Sequence, residues 1–181
     1  MSRLITPSYD TAPQASKPLL DAVNQQLGVI PNLFRLIGLS PSSLEGFLGL
    51  HGALSKTLDV KTRERIALAV AQVNGCDYCL SAHTYLGLNL AKIDQAEIAK
   101  NRAGTSSEPK AAAAVSFAKK VAEKRGKVSV SDVSEVRAAG YSDAEIVDII
   151  SVVAVNFLTN LVNNVADTDI DFPVVLASAA E

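Results

Sequence analysis

The sequence has no tryptophan, one methionine and two cysteines among its 181 residues, and aromatic side chains make up only 5% of it. A chain that is nonetheless 48% hydrophobic must build its core from Ala, Leu, Val and Ile, side chains that suit closely packed helices. No stretch alternates polar and apolar residues with period two, so strands are not expected and the fold class reads as all-α. Nor is there an excess of charge: 17 Lys and Arg stand against 19 Asp and Glu, for a net charge of −2. The two signs are interspersed, which excludes the basic stripe of a nucleic-acid binder and a polybasic membrane contact. The most apolar stretch, residues 146–155, is interrupted by Asp148 and followed by Asn156, Asn160, Asn163 and Asn164, and reads as too short and too polar to span a bilayer. The first residues lack the apolar run of a secretory signal, so the cytoplasm is the expected location. A mean hydropathy of +0.20 is high for a lone soluble chain, and predicts a homo-oligomer that buries apolar surface between subunits.

The length suits one domain spanning 1–181. An extended arm is expected over 1–15, followed by a helix from Pro18 to Gln26 with Gly28 as its stop. A short apolar segment follows over 32–37, and Ser40-Pro41 starts a helix running to about Lys56. Residues 62–73 are charged for one turn and then apolar on all sides, which places that helix at the centre of the fold. Gly75 interrupts it, and a further helix is expected from Cys76 to about Leu86. Asp94 with Glu97 predicts a capping box, Ser107 with Pro109 another helix start, Ser131 the cap of a short helix to Ala139, and Ser142 with Glu145 a capping box heading a long helix to about Val165. The tail from Asp167 reads as irregular. An 80-residue shift lays Ile66 on Ile146, Val70 on Ile150 and Val73 on Val153. This echo suggests two related helical halves, an active one over about 40–104 and a degenerate one over about 108–166.

Two cysteines three residues apart do not make a disulfide framework; in a reducing compartment they read as catalytic or metal-binding. In helical spacing Cys76 and Cys79 are i,i+3 neighbours, and Cys79 and His83 are i,i+4 neighbours, so the three share a face and His83 reaches Cys79 more readily than Cys76. A helix start and an adjacent imidazole stabilise a thiolate. A thiolate attacks peroxides or disulfides, and a second thiol close by resolves the sulfenic acid that peroxide leaves. Glu64 is the fourth candidate, provided the chain turns back at Gly75. Tyr78, Tyr85 and His51 are candidates for the surroundings of the site, whereas Glu45 and Arg65 read as solvated or interface charges. A zinc site built on Cys76, Cys79 and His83 has acceptable ligand types but lacks a second Cys or His pair, so no metal is expected.

Glu64, eleven residues, Cys76-Asp-Tyr-Cys79, three residues and His83 form a pattern similar to the signature of the alkylhydroperoxidase D family, within the carboxymuconolactone decarboxylase-like superfamily. Softer likeness to its uncharacterised peroxidase-related branch extends through Val29-Ile-Pro-Asn-Leu-Phe, Ser40-Pro41 and Asp171-Phe-Pro173. The resemblance implies an all-α fold of repeated helical units assembled as trimers or hexamers. It also implies a peroxidatic Cys79, a resolving Cys76, and a proton relay through His83 and Glu64. No haem or flavin is implied. Tyr78 is a departure, since the best-known peroxidases of the family have His just before the second cysteine. The expected function is therefore a thiol-dependent hydroperoxide reductase, reduced by an external thiol such as a lipoylated or thioredoxin-like protein. Its pocket would be lined by Leu and Val and would suit organic hydroperoxides. A protein thiol–disulfide oxidoreductase or redox sensor is the alternative.

Overall fold

The computed structural model describes residues 2–177, and among them the regular structure is entirely helical. A 3-10 turn, Gln14–Ser16, leads into α1 (Lys17–Leu27), α2 (Asn32–Ile37), α3 (Pro41–Leu54) and α4 (Val60–Val73). These are followed by α5 (Asp77–Asn89), α6 (Gln95–Ala103), α7 (Pro109–Glu123), α8 (Val130–Ala138) and α9 (Asp143–Ala166).

Helix α4 is the hub, packing against α5, α6, α7 and α9. Ile66, Ala67, Leu68, Ala69, Val70 and Ala71 are all buried. The alternation of small Ala with branched residues lets helices close in on every side. Ile66 and Val70 join a core made with α1, α3, α7 and α9, while Leu68 and Ala71 join a second core made with α5, α6 and the C-terminal tail. Each of these larger side chains contributes about 1.5–3 kcal/mol by leaving water.

The break after α4 is a Schellman turn. Gly75 has φ of +59° and donates its N–H to the Gln72 carbonyl, while Cys76 donates to the Ala71 carbonyl. Gly is favoured there because a Cβ resists this conformation. Cys76 thus ends one helix motif and begins the next. It is the N-cap of α5, with its Sγ accepting from the Cys79 N–H at 3.3 Å, rather than the first helical residue as expected.

Other boundaries also moved. Ser129, not Ser131, caps α8, because its partner three residues on is Asp132 and the two make a reciprocal capping box. Glu108, not Ser107, is the N-cap of α7 and makes no side-chain cap bond. Asp94 accepts from Glu97 N–H, but the Glu97 carboxylate turns away from the box. Ser142 and Glu145 do form the expected box.

Helix α9 continues to Ala166 and is long and apolar enough to cross a membrane by length and composition, with a mean hydropathy of 1.7 over an 18-residue window. That corrects the estimate made from residues 146–155 alone. Here the helix serves as a core element packed on α3, α4, α5 and α7. Its outer side carries Val147, Ile150, Leu158, Leu161 and Val165, all exposed. The tail has no regular structure, yet it is docked. Val175 donates to Ser81 Oγ at 2.9 Å, Ala177 to Asp77 Oδ1 at 2.7 Å, and Arg102 holds the Leu176 carbonyl.

Candidate functional site

The turn at Gly75 folds α5 back along α4 and brings together residues from either side of it. Glu64 and His83 are such a pair: Nδ1 of His83 lies 2.9 Å from Oε2 of Glu64. Both are only partly open, with 20% of the His83 side chain and 13% of the Glu64 side chain exposed. One turn before His83, Cys79 is joined to Cys76 in a disulfide.

These groups surround a cleft of about 280 Å³. Glu64, Cys79 and His83 line it together with Phe34, Phe47, Leu54, Leu86, Val152, Val155 and Phe172. Cys76 is fully buried and does not line the cleft, so Cys79 is the sulfur that faces it. A larger depression of about 420 Å³ lies around Arg65, Glu108, Lys110 and Tyr141. Arg65 and Glu108 pair there, whereas Cys79 and the His83–Glu64 pair belong to the smaller, apolar cleft.

The three surrounding residues take different places. His51 is exposed and lines the cleft, with its ring beside Phe47 at 5.7 Å between centroids. Partial loss of water around the ring against that wall, and then the proximity of His83, hold its pKa below the usual histidine value. Tyr85 also lines the cleft and packs on Phe172. Tyr78 lines the cleft as well, and its hydroxyl is engaged by α2: Leu33 N–H donates to it at 3.1 Å, and burial pushes its pKa upward. Its ring meets Phe172 edge-on, so at this position Tyr anchors the tail and α2 rather than offering a proton to the site.

Arg65 corrects its expectation as a solvated charge. It is 4% exposed and grips Glu108 with two nitrogens, at 2.6 and 3.2 Å. Its Nε lies 3.5 Å from Glu97. Burial alone would raise the Glu97 pKa, but donors on Ser106, Ser107 and Asn101 outweigh it and bring the value down to about 2. Glu97 therefore serves this network instead of its own helix cap. Glu45 is exposed, as expected.

Asn163 was not among the residues singled out as part of a site. It is 2% exposed, and its Nδ2 lies 3.3 Å from Cys79 Sγ. A signal existed: Asn156, Thr159, Asn160 and Asn163 recur at helical spacing on one side of α9, and all four are buried. Among the described residues no group of three or more His, Cys, Asp or Glu is gathered to hold a metal ion.

An all-helical chain with a CxxC disulfide facing an apolar cleft, beside a hydrogen-bonded His–Glu pair, defines a class of thiol protein. Residues 41–120 match the carboxymuconolactone decarboxylase family. The fold is that of an uncharacterised peroxidase-related protein from Ralstonia eutropha with an alkylhydroperoxidase AhpD core, with a TM-score of 0.82 and 24% identity over 94% of this chain and 92% of that one. A peroxidase-related protein from Silicibacter superposes with a TM-score of 0.79 and 24% identity, over 93% of this chain and 91% of that one. The debrominase Bmp8, in complex with 2,3,4-tribromopyrrole, gives 0.79 and 22%, over 94% and 93%. At such identities the likeness is one of fold. An uncharacterised protein of Haemophilus influenzae is 49% identical over 45 residues, which are 24% of this chain; the match spans 40% of that protein's length.

Proposed function

We propose that the protein is a thiol-dependent hydroperoxide reductase acting on apolar organic hydroperoxides. The observation that carries this reading is the placement of Cys79 on an apolar cleft shared with the His83–Glu64 pair. In the reduced protein His83 takes the Cys79 proton, and Glu64 fixes the imidazole's orientation and balances its charge. The thiolate attacks one oxygen of ROOH. The O–O bond breaks, a sulfenic acid forms on Cys79, and the alkoxide leaves with the proton from His83 as ROH. The Cys76 thiol then condenses with the sulfenic acid, closing the S–S bond and releasing water. An external dithiol restores both thiols and is itself oxidised.

Burial of both sulfurs favours a slender donor that enters the cleft, such as a small dithiol or a lipoyl arm, over a folded thioredoxin-like surface. A reducing cytoplasm would supply such donors. The apolar outer face of α9 supports a homo-oligomer, and Leu161→Glu on that face is expected to give a smaller species in gel filtration.

The deciding experiment is disulfide formation in the reduced protein on adding cumene hydroperoxide, followed by mass spectrometry, with turnover measured using dihydrolipoamide. Cys79→Ser should abolish peroxide consumption. If the wild type consumes no hydroperoxide with any thiol donor, the peroxidase reading fails. Exchange with protein disulfides alone would then support the oxidoreductase reading, and turnover of a brominated pyrrole would support a dehalogenating one.

A further inference from the structure

We infer that Asn163 is a catalytic residue in its own right, the hydrogen-bond donor that stabilises Cys79 as a thiolate. The inference rests on the reading of Cys79 as the nucleophile, and it answers a difficulty in that reading. The N-terminus of α5 favours the other sulfur: Cys76 is the N-cap and takes the Cys79 N–H. A helix start stabilises an anion at its cap, so backbone geometry alone would place the thiolate on the buried cysteine. Something must favour charge on the sulfur that faces the cleft.

The carboxamide of Asn163 meets that need. It projects from α9, a different helix from the one bearing the cysteines, and its Nδ2 lies 3.3 Å from Cys79 Sγ. Its Oδ1 has no hydrogen-bond partner among the described residues. Burying an amide without good partners costs about 1–3 kcal/mol, and a neutral sulfur is a weak acceptor. A thiolate is a strong one. The site is therefore poorly matched to the oxidised or protonated sulfur and well matched to the anion, the pattern expected of a group preorganised for charge that appears during the reaction.

The ionisable groups around the cleft, besides Cys79 itself, are His83, Tyr78 and Tyr85 on α5, Glu64 and Arg63 on α4, and His51 on α3. The side of α9 turned this way offers Asn156, Thr159 and Asn163 and carries no ionisable group. Arg63 spends its guanidinium on the carbonyls of Ser55 and Leu58. Asn163 is thus the neutral donor that acts on Cys79 across the whole working pH range.

The test is the pH dependence of iodoacetamide alkylation at Cys79 in the fully reduced full-length protein, followed by peptide mass spectrometry. Replacing the donor in Asn163→Leu should raise the Cys79 midpoint by about one pH unit, the size expected for losing a hydrogen bond to a charged group. Asn160→Leu removes a buried amide from the same helix that bonds Asn74 rather than sulfur, and should leave the midpoint in place. An unmoved midpoint in folded Asn163→Leu overturns the inference. If that variant does not fold, the side-chain amide protons of Asn163 in labelled wild type decide it. Their shift should follow Cys79 ionisation, and a flat response overturns the inference. No peroxide enters either measurement. A protein inert to peroxides therefore sinks only the peroxidase reading, and an unmoved midpoint sinks only the role of Asn163.

Discussion

Glu64 and Arg65 are consecutive residues of α4, and they enter two buried polar networks of opposite character. Arg65 points into a cluster built on ion pairs and on donors to carboxylates, in which Arg65 Nε and Asn101 Oδ1 have no hydrogen-bond partner among the described residues. It grips Glu108, and the nearby Glu97 accepts from Ser106, Ser107 and Asn101. Glu64 points into the cleft, where it bonds His83 and little else, beside a sulfur whose one side-chain donor is an amide left half satisfied. Ion pairs among groups of one chain rigidify a core, whereas partly satisfied groups at an opening are poised to act on something that enters. One helix thus carries an ionic cluster on one side and, on the proposed reading, the proton relay on the other.

The comparison breaks most visibly at these two neighbours. Glu64→Gln keeps the shape but removes the charge that balances a protonated His83. Peroxide turnover should fall roughly 100-fold or more, the usual scale for impairing acid–base assistance, with Tm almost unchanged in a melting scan. Turnover within twofold of wild type would remove Glu64 from the relay. Arg65→Ala should do the reverse. Deleting one member of a buried ion pair costs about 3 kcal/mol, the low end of that range because Glu97 keeps its other donors. That corresponds to roughly 10 °C in Tm for a domain of this size, and the surviving folded protein should retain its thiol reactivity. A stable Arg65→Ala variant with an inert sulfur would show that the two networks are not separate.

The same division explains what could be read from the sequence. The all-helical fold and the centrality of α4 follow from side-chain periodicity, which reports burial directly. The meeting of Glu64 with His83 required only that Gly75 reverse the chain, and a glycine at the end of an apolar helix predicts such a reversal. Arg65 was misread because charge in a first helical turn ordinarily meets water, and its partners come from α6 and the loop before α7, up to 43 residues away. Ser107 and Glu97 were misassigned for the same reason: a local capping motif lost its side chain or its N–H to that distant network. Asn163 was passed over because an asparagine-rich stretch suggests solvent, although its helical spacing inside a buried helix argued otherwise. Local rules fail here where a polar group has a better partner far along the chain.

The ionic cluster should also set the acid limit of the fold. Glu97 takes up a proton near 4.5 when unperturbed but only near about 2 in the folded protein. Between those values the unfolded chain binds more protons, so stability falls as pH drops through that window and is fully present above it. In urea titrations from pH 6 to pH 2.5, Glu97→Gln should start lower and lose less across the window. An equally steep acid limb would assign the acid sensitivity to other carboxylates.

The smallest effect tests how redundancy separates the two networks. Ser106 is one of three donors that surround the Glu97 carboxylate, beside Asn101 and the Ser107 N–H. In Ser106→Ala the carboxylate keeps the others, so the cost should be that of an ordinary hydrogen bond, about 1 kcal/mol, or roughly 2–4 °C in Tm. Alkylation of Cys79 should be unchanged at every pH. The sulfur has no such reserve, since Asn163 is its one side-chain donor among the described residues, and the loss of one hydrogen bond there should shift a thiol midpoint instead of a melting temperature. Calorimetry and alkylation on the same Ser106→Ala sample decide the point. A shifted Cys79 midpoint with this distant serine removed would mean that the ionic cluster reaches the cleft through α4, and that Glu64 and Arg65 belong to one network.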